Sequence, residues 1–403
     1  MSGIADMNYF QISFFIFVIL GFFVTPSPVW AMIFYLGAAP LTAREAWRKR
    51  DFACLRDPLA GLFLVTILWF GLTLLWGVNQ PAPRIGQYAA ATVTNALFVI
   101  GGLLFFSDTG NPWRERLFRF LPIAATVNIV ISALHYYVFL AQSFDTRLTG
   151  WAETRHQILG SDIIAVTAVF ALRNLFEPQG PGNPRRERVL QGLSLFAALI
   201  FIVLTGSRGS FVALAWAAGL FLWLVRPRLM FLVFLCLTVL AGGLFFASEP
   251  LRHFIMENVL RDPMRLRIWA ATLDYVAERP LLGYGVATVA TFTEDWITFP
   301  HSMYFSALFY GGCVGLALVA MLFSAVVWRI LKRAENRDRA FLLALISIPL
   351  IAGITDTGQF IKNPSPQWYI VWLPIIIATA MTVKGKAAAD IPRAESASLR
   401  HSL

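Results

Sequence analysis

The sequence VLQGLSLFAALIFIVLTGSRGSFVALAWAAGLFLWLV, residues 189–225, decides how this chain folds. Its 37 residues are almost entirely apolar, and Arg208 is the only charged residue among them. A single helix of this length, at roughly 1.5 Å per residue, would be about 55 Å long and far exceed the ~30 Å hydrocarbon core of a bilayer. The segment TGSRGS, residues 205–210, has the glycines for a turn. We therefore predict two membrane-spanning helices that meet beside Arg208.

The rest of the chain has the same apolar character. It is 58% hydrophobic and only 14% charged, whereas soluble domains carry about 25% charged residues. Apolar runs between charged or Pro/Gly breaks predict an all-α polytopic membrane protein with about twelve transmembrane helices, for which the lipid bilayer is the first partner. The predicted spans are residues 8–24, 27–41, 58–77, 86–106, 117–141, 159–176, 189–205, 209–225, 229–247, 302–328, 339–355 and 367–383.

The distribution of basic residues predicts the orientation of these spans. With the N-terminus inside, the cytoplasmic segments hold 23 of the 33 Lys and Arg residues, so we expect both termini in the cytoplasm. The net charge of +10 then reflects topology, and nucleic acid is not predicted as a partner. The ten basic residues on the external side are Arg84, Arg147, Arg155, Arg208, Arg252, Arg261, Arg265, Arg267, Arg279 and Lys362.

One external loop, residues 248–301, is long enough to have its own structure. Asp262-Pro263 is typical of a helix start, which predicts a helix over 263–278. An apolar face at helical spacing should rest on the membrane or on the bundle. The residues of that face are Leu266, Trp269, Leu273 and Val276. The expected organisation is therefore 1–247 with spans 1–9, the loop 248–301, 302–383 with spans 10–12, and a cytoplasmic tail, 384–403.

Arginines on the external side are exceptions to the positive-inside rule, so their presence there needs an explanation. Arg208 either clamps a phosphate through its bidentate fork or snorkels to hold the hairpin at the interface. Arg265 and Arg267 should point to nearly opposite sides of their helix, since two residues turn it by about 200°. Arg279, fourteen residues after Arg265, falls near the same stripe. Phosphate binding and an ordinary solvated face both remain open for these residues.

His301 precedes span 10, where it is either a general base or an ordinary interfacial residue. Asp356, at the outer end of span 11, is an acid that could pair with an external arginine. Arg147, Arg155 and Tyr304 are further candidates on the same side. Neither H-E-x-x-H nor C-x-x-C occurs in the sequence, so no metal cofactor is predicted.

Three separated segments together resemble the O-antigen ligase and polymerase superfamily. Their shared pattern is an Arg-Gly turn, then R-x-x-x-W and P-L-x-G-x-G, then His-Asn or His-Ser opening a span that carries two glycines, here Gly312 and Gly315. The segments are TGSRGS at 205–210, RLRIWAATLDYVAERPLLGYG at 265–285 and HSMYFSALFYGGCVG at 301–315.

The resemblance implies a GT-C-like glycosyltransferase architecture with one large periplasmic loop containing helices. It implies glycan transfer at the periplasmic face of a Gram-negative inner membrane, from an undecaprenyl-pyrophosphate donor to lipid A–core. His301 would be the base, with inversion at the anomeric carbon, and Arg208 and Arg265 would hold the pyrophosphate, so that no metal is required.

Several alternatives remain open. A chain near 400 residues with one large external loop resembles the ligase branch, but the polymerase and the related oligosaccharyltransferases share the same chemistry. A secondary transporter is the alternative from another class. The halves of the chain show no internal repeat, and the polar features gather at one surface, which favours chemistry at that surface over passage through the membrane.

Overall fold

The computed structural model describes residues 9–49, 56–178, 183–233, 235–236, 264–292, 297–356, 358 and 360–383. Over these residues the chain is built from helices and connecting turns, without a β-strand. Many of the helices are apolar and long enough to cross a membrane. The prediction of an all-α polytopic membrane protein is therefore confirmed.

Thirteen labelled helices follow one another along the described residues. They are α1 (Tyr9–Leu20), α2 (Ser27–Ile33), α3 (Ala39–Lys49), α4 (Pro58–Leu72), α5 (Ala82–Ser107), α6 (Pro112–Ala133), α7 (Gln157–Phe176), α8 (Pro184–Thr205), α9 (Arg208–Val225), α10 (Met264–Glu278), α11 (Met303–Arg333), α12 (Asn336–Thr355) and α13 (Leu373–Met381). π-Helical turns join α2 to α3, extend α6 and lead into α13; they are Phe34–Ala38, Leu134–Phe139 and Trp368–Trp372.

Eight helical segments in the described part of the chain are long and apolar enough to cross a membrane. They correspond to predicted spans 3–8, 10 and 11. Spans 1 and 12 appear as shorter apolar helices, Tyr9–Leu20 and Trp368–Met381. Span 2 is the α2–α3 segment with its π-helical turn. Residues 227–233 are helical, but most of predicted span 9, 229–247, lies outside the described residues, so the number twelve stays a prediction.

Asx-Pro pairs start three of the long helices. Asp57, Asn111 and Asn183 each precede a proline, and each side chain accepts a 2.9 Å hydrogen bond from the N–H two residues on. Proline is favoured at the first helical position because its missing N–H would have no intrahelical partner there. The cap satisfies a second unpaired donor and contributes about 0.5–2 kcal/mol. Local sequence thus fixes where α4, α6 and α8 begin.

Close packing of α7, α9, α11 and α12 places several helix ends together. α9 packs extensively against α12 and against α7. The buried face of α9 begins with Ser210, Ala213 and Ala217, and these small side chains let the helices approach closely in lipid. Consequently α8 and α12 end, and α7, α9 and α11 begin, at one end of the bundle, which we call the site end.

Stacked aromatic side chains hold the remaining helices against this unit. The rings of Phe98 and Trp368 stack with centroids 4.2 Å apart, and those of Phe17 and Trp30 with centroids 4.8 Å apart. All four side chains are buried. Since they come from α5, the turn before α13, α1 and α2, the cluster fixes the chain on either side of the loop that follows α12.

Candidate functional site

His301 lies at the site end, two residues before α11 begins. Its φ is 51°, a left-handed conformation that costs a non-glycine residue of order 1–3 kcal/mol. The half-buried imidazole packs on Phe299, with ring centroids 3.9 Å apart. The next residue, Ser302, donates a 3.2 Å hydrogen bond through Oγ to the carbonyl of Gly353 in α12. The surrounding structure therefore holds His301 in one strained position between α11 and α12.

Charged neighbours set the protonation of His301. Burial lowers its pKa below the ordinary value of 6.5, and Arg265 and His156 lower the pKa further. Asp356, a buried carboxyl directly after α12, acts in the opposite direction and raises it. Because the lowering effects dominate, the imidazole is neutral at neutral pH and can accept a proton. A negative charge on Asp356 would stabilise the imidazolium if His301 took up a proton.

The turn that carries Arg208 is built from the TGSRGS segment. Gly206 ends α8 with a φ of 63°, which glycine adopts without a Cβ penalty. The side chain of Arg147 donates through Nε to the carbonyl of Thr205 at 2.6 Å. On the other side of the turn, the hydroxyls of Ser207 and Ser210 lie 2.7 Å apart. The expected two-helix hairpin is thus present, with Arg208 exposed as the first residue of α9.

Three arginines converge at the site end. Partial burial lowers the pKa of Arg147, and so do the charges of Arg208 and Arg265. Like charges held close together repel one another unless an anion lies among them. Guanidinium groups bind phosphate oxygens in bidentate fashion. The cluster therefore has the charge and the chemistry of an anion site, and it lies within electrostatic range of His301 through Arg265.

Asp162 is a buried carboxyl beside the candidate site that sequence reasoning missed. It is fully buried in α7, and its Oδ1 accepts a 2.6 Å hydrogen bond from Ser210, beneath the Arg208 turn. Within the described residues its Oδ2 has no hydrogen-bond partner. It interacts electrostatically with Asp356 and Arg265. A carboxyl inside an apolar span is by itself a sign of a functional site, and the letters GSDIIAV contained that sign.

The helix α10 brings Arg265 to this site, and two residues of its predicted apolar face, Trp269 and Val276, pack against the protein. Ile268 and Thr272 are buried together with Val276, whereas Leu266 and Leu273 are exposed. Exposed apolar side chains of a membrane protein can face lipid, so for Leu266 and Leu273 the expectation that this face rests on the membrane or on the bundle stays a prediction. The predicted Asp262-Pro263 cap lies outside the described residues.

Trp269 helps to hold α10 against α11. Its indole stacks on Phe305 with ring centroids 5.3 Å apart. Arg265, one turn earlier, is half-buried, while Arg267 points to a different side and is exposed. This arrangement agrees with the prediction that the two arginines point to different sides of the helix.

The helix α11 is kinked at Gly312. Residues 280–285, which we call the clip, form hydrogen bonds with main-chain groups of α11 at this kink. Gly312 has a non-helical conformation, with φ 66° and ψ −169°. The carbonyls of Phe309 and Tyr310 accept hydrogen bonds from the N–H groups of Tyr284 and Gly285, at 2.8 and 3.0 Å. In return, the N–H of Cys313 donates to Pro280 at 2.7 Å. These bonds satisfy two carbonyls and one N–H group at the kink, and they attach the loop to the helix that His301 precedes.

The other candidate residues lie in several places. Tyr304 donates a 2.8 Å hydrogen bond to the carbonyl of Leu350, which ties α11 to α12. Arg155 is exposed and adjacent to His156. Arg279 lies over the ring of Tyr284, 5.6 Å from its centroid. Fourteen residues separate Arg279 from Arg265, about 21 Å along a helix, so the structure does not bring Arg279 to the arginine cluster.

The described residues contain no group of three or more His, Cys, Asp or Glu side chains that could hold a metal ion. A neutral imidazole such as that of His301 can accept a proton, and guanidinium groups such as those of the three arginines can bind an anion.

The fold and this arrangement define a polytopic helical membrane protein with an arginine-rich polar site at one end of its bundle. A family model described as O-antigen ligase matches residues 193–320, which include the Arg208 turn, α10, the clip and His301. An O-antigen ligase of Pseudomonas aeruginosa is 25% identical over 346 residues, which cover 83% of this chain and 80% of that protein. The chain is therefore similar to O-antigen ligases, both in this region and over most of its length.

Proposed function

We propose that this protein is an O-antigen ligase, a glycosyltransferase that moves an O-antigen polysaccharide from undecaprenyl pyrophosphate to lipid A–core oligosaccharide. The observation that carries the proposal is the meeting of a half-buried histidine of lowered pKa with an arginine cluster at the end of a membrane bundle. Both substrates carry lipid tails. A site at the end of a membrane bundle gives both of them access from the bilayer.

In the proposed reaction His301 is the general base. An acceptor hydroxyl attacks the anomeric carbon of the donor glycan while the imidazole takes the hydroxyl proton. The new glycosidic bond forms as the bond from the anomeric carbon to the pyrophosphate oxygen breaks, and the configuration inverts. Undecaprenyl pyrophosphate leaves with the electron pair of that bond. Asp356 stabilises the imidazolium, as a carboxylate does beside a catalytic histidine elsewhere.

Arg208 and Arg265 bind the pyrophosphate, and Arg147 is a third member of their cluster. Negative charge develops on the leaving group, so preorganised cations stabilise the transition state more than the ground state. In this proposal the guanidinium groups provide the charge neutralisation that a divalent metal provides in other enzymes. The reaction is accordingly independent of metal.

The proposed setting is the inner membrane of a Gram-negative bacterium. Twelve spans would leave both termini in the cytoplasm and the site end in the periplasm. Residues 1–247 and 302–383 would form the membrane bundle, 248–301 the periplasmic loop with α10, and 384–403 a cytoplasmic tail. The bias of Lys and Arg between the loops supports this orientation.

An in vitro reaction tests the proposal. Purified protein is given an undecaprenyl-pyrophosphate glycan and lipid A–core in EDTA, and the products are separated by size. Ladders on lipid A–core with the wild type are expected. Extension of the donor glycan without transfer to lipid A–core would establish the polymerase instead, and no glycan transfer by folded protein would favour the transporter.

A further inference from the structure

A second group of charged residues lies at the site end and takes no part in the proposed reaction. It consists of Glu153, Arg155, Lys362 and Arg84. Lys362 interacts electrostatically with Glu153 and with both arginines. The four come from the loop before α7, the loop after α12 and the first turn of α5. Three cations thus face a single carboxylate.

Glu153 already has hydrogen-bond partners in the protein around it. Its side chain is buried and accepts a hydrogen bond from Ser27, at the start of α2. Its main-chain N–H donates to the carbonyl of Gly21 at 3.3 Å. Burial raises the pKa of Glu153, and the Ser27 hydrogen bond and the nearby cations only partly oppose this. The carboxyl therefore does not balance three positive charges.

Lys362 is held in place through its main chain, and its side chain is exposed. Its main-chain carbonyl accepts hydrogen bonds from Asn95 at 2.7 Å and from Trp368 at 3.4 Å. The side chain is accessible to solvent, yet surrounding protein lowers its pKa. Within the described residues, its ammonium donates no hydrogen bond and forms no ion pair.

The arginines of this group also have donors to spare. Arg84 uses one of them on the carbonyl of Thr288, at 3.3 Å. The guanidinium of Arg155 has no hydrogen-bond or ion-pair partner within the described residues. Unused donors on clustered cations are what an anionic ligand requires.

We propose that Lys362, Arg155 and Arg84 form a second anion subsite, which binds a phosphate group of the acceptor glycolipid. The proposal rests on the ligase function proposed above and adds to it a feature of the acceptor that the enzyme recognises. It explains why a lysine and two arginines outside the pyrophosphate cluster lie at the same end of the bundle.

The position of His301 assigns the anion to the acceptor. His301 interacts with Arg265, a member of the pyrophosphate cluster, and also with His156, the neighbour of Arg155 in sequence. The base therefore lies within electrostatic range of a donor-binding residue and of the histidine that follows Arg155 in sequence. An acceptor whose hydroxyl reaches His301 has a phosphate nearby to occupy that group, whereas the donor's pyrophosphate already has three arginines.

The test compares two forms of one acceptor. Lipid A–core is used as isolated and after chemical removal of its phosphates, and the KM for each form is measured at saturating donor. The proteins are the wild type, Lys362→Gln, Arg155→Gln and the charge-conserving Lys362→Arg. Arg188→Gln is the matched control, because it removes an exposed arginine from the other end of α8, about 25 Å from the site end.

We expect loss of phosphate to raise the acceptor KM of the wild type about tenfold. Lys362→Gln and Arg155→Gln should raise it by a similar factor for the phosphorylated acceptor and hardly at all for the dephosphorylated one. The Lys362→Arg variant should keep most of the difference in KM between the two acceptor forms. The donor KM should stay constant in all variants. Equal effects on both acceptor forms would overturn the proposal, and a raised donor KM would assign the anion to the donor.

Direct binding separates this proposal from the ligase function. Acceptor binding to the detergent-solubilised protein is measured for both acceptor forms. If the wild type transfers no glycan but binds the phosphorylated form more tightly in a Lys362-dependent way, the ligase function fails and the subsite stands. If neither transfer nor binding depends on the phosphate of the acceptor, the subsite proposal is overturned and the ligase function is unaffected.

Discussion

The main-chain N–H of Tyr284 donates a 2.8 Å hydrogen bond to the carbonyl of Phe309, a group that an unbroken α-helix would have used for its own residue 313. This exchange joins two segments that lie far apart in sequence, the clip and the kink of α11. Because α10 leads directly into the clip and His301 directly precedes α11, the same contact fixes Arg265 relative to His301. The glycines of both segments make it possible.

Gly312→Ala should therefore damage both stability and activity. A Cβ at this position would lie 2.1 Å from the carbonyl oxygen of Leu281, and the φ of 66° is strained for any side chain. We expect a loss of about 1–3 kcal/mol in the free energy of unfolding and a lower glycan-transfer rate. Tryptophan fluorescence during thermal unfolding in detergent measures the first, and the in vitro ligation assay the second.

Gly219→Ala is the matched control for this substitution. Gly219 lies within α9, and among the described residues outside its own backbone no atom lies within 4 Å of the added Cβ. Alanine in a helix interior is favoured over glycine by roughly 0.5–1 kcal/mol. Stability should stay the same or rise slightly. Equal melting of the Gly312→Ala variant and the wild type would refute the clip's role.

His301→Asn should nearly abolish transfer. Asparagine tolerates the left-handed backbone conformation better than most residues, so the fold should survive, but its amide cannot accept a proton at neutral pH. A lost general base typically costs about 10²–10⁴ in kcat. Single-turnover glycan transfer measures the rate, and an unchanged melting temperature verifies the fold. Ligation at the wild-type rate would remove His301 from the mechanism.

Much of the fold could be predicted because lipid permits few solutions. Backbone polar groups in a bilayer must be satisfied within helices, so long apolar runs translate directly into spans. The hairpin around Arg208 could be predicted for the same reason, since a single helix of 37 apolar residues would be too long for one crossing of the bilayer. Gly206 ends α8 where the sequence placed the turn.

The site could be predicted only in part, because it depends on contacts between distant segments. His301 and Arg265 were found through their motifs. Asp162 was missed because one carboxyl in an apolar run was read as part of the span, and its hydrogen bond to Ser210 exists only once α7 meets α9. Lys362 appeared in the sequence as one basic residue among ten, and its neighbours come from other loops.

The pH profile should have an acidic limb set by His301. Its lowered pKa means that the base stays neutral down to below pH 6.5 and loses function as pH falls through the pKa. Asp356→Asn removes the charge that raises this pKa, so the midpoint should move to lower pH. Arg265→Gln removes a charge that lowers it, so the midpoint should move up. The measurement is kcat/KM between pH 4.5 and 8.

Both substitutions should also slow the reaction. The test is whether they shift the midpoint pH in opposite directions. Arg279→Gln removes an arginine from the end of α10 that is distant from His301 and should leave the midpoint unchanged. If Asp356→Asn and Arg265→Gln shifted the midpoint in the same direction, or left it in place, a group other than His301 would control the limb.

Arg208→Lys should lose most activity although the charge is kept. A lysine ammonium is a compact point charge, while guanidinium offers two parallel donors that match phosphate oxygens. If Arg208 binds the pyrophosphate as it leaves, kcat should fall at least tenfold with a smaller change in donor KM, since the interaction strengthens in the transition state. Arg188→Lys, an exposed arginine at the far end of α8, serves as the control. A snorkelling arginine needs only a long cationic side chain. Full activity of the lysine variant would therefore favour anchoring of the hairpin, and the pyrophosphate would then depend on Arg147 and Arg265.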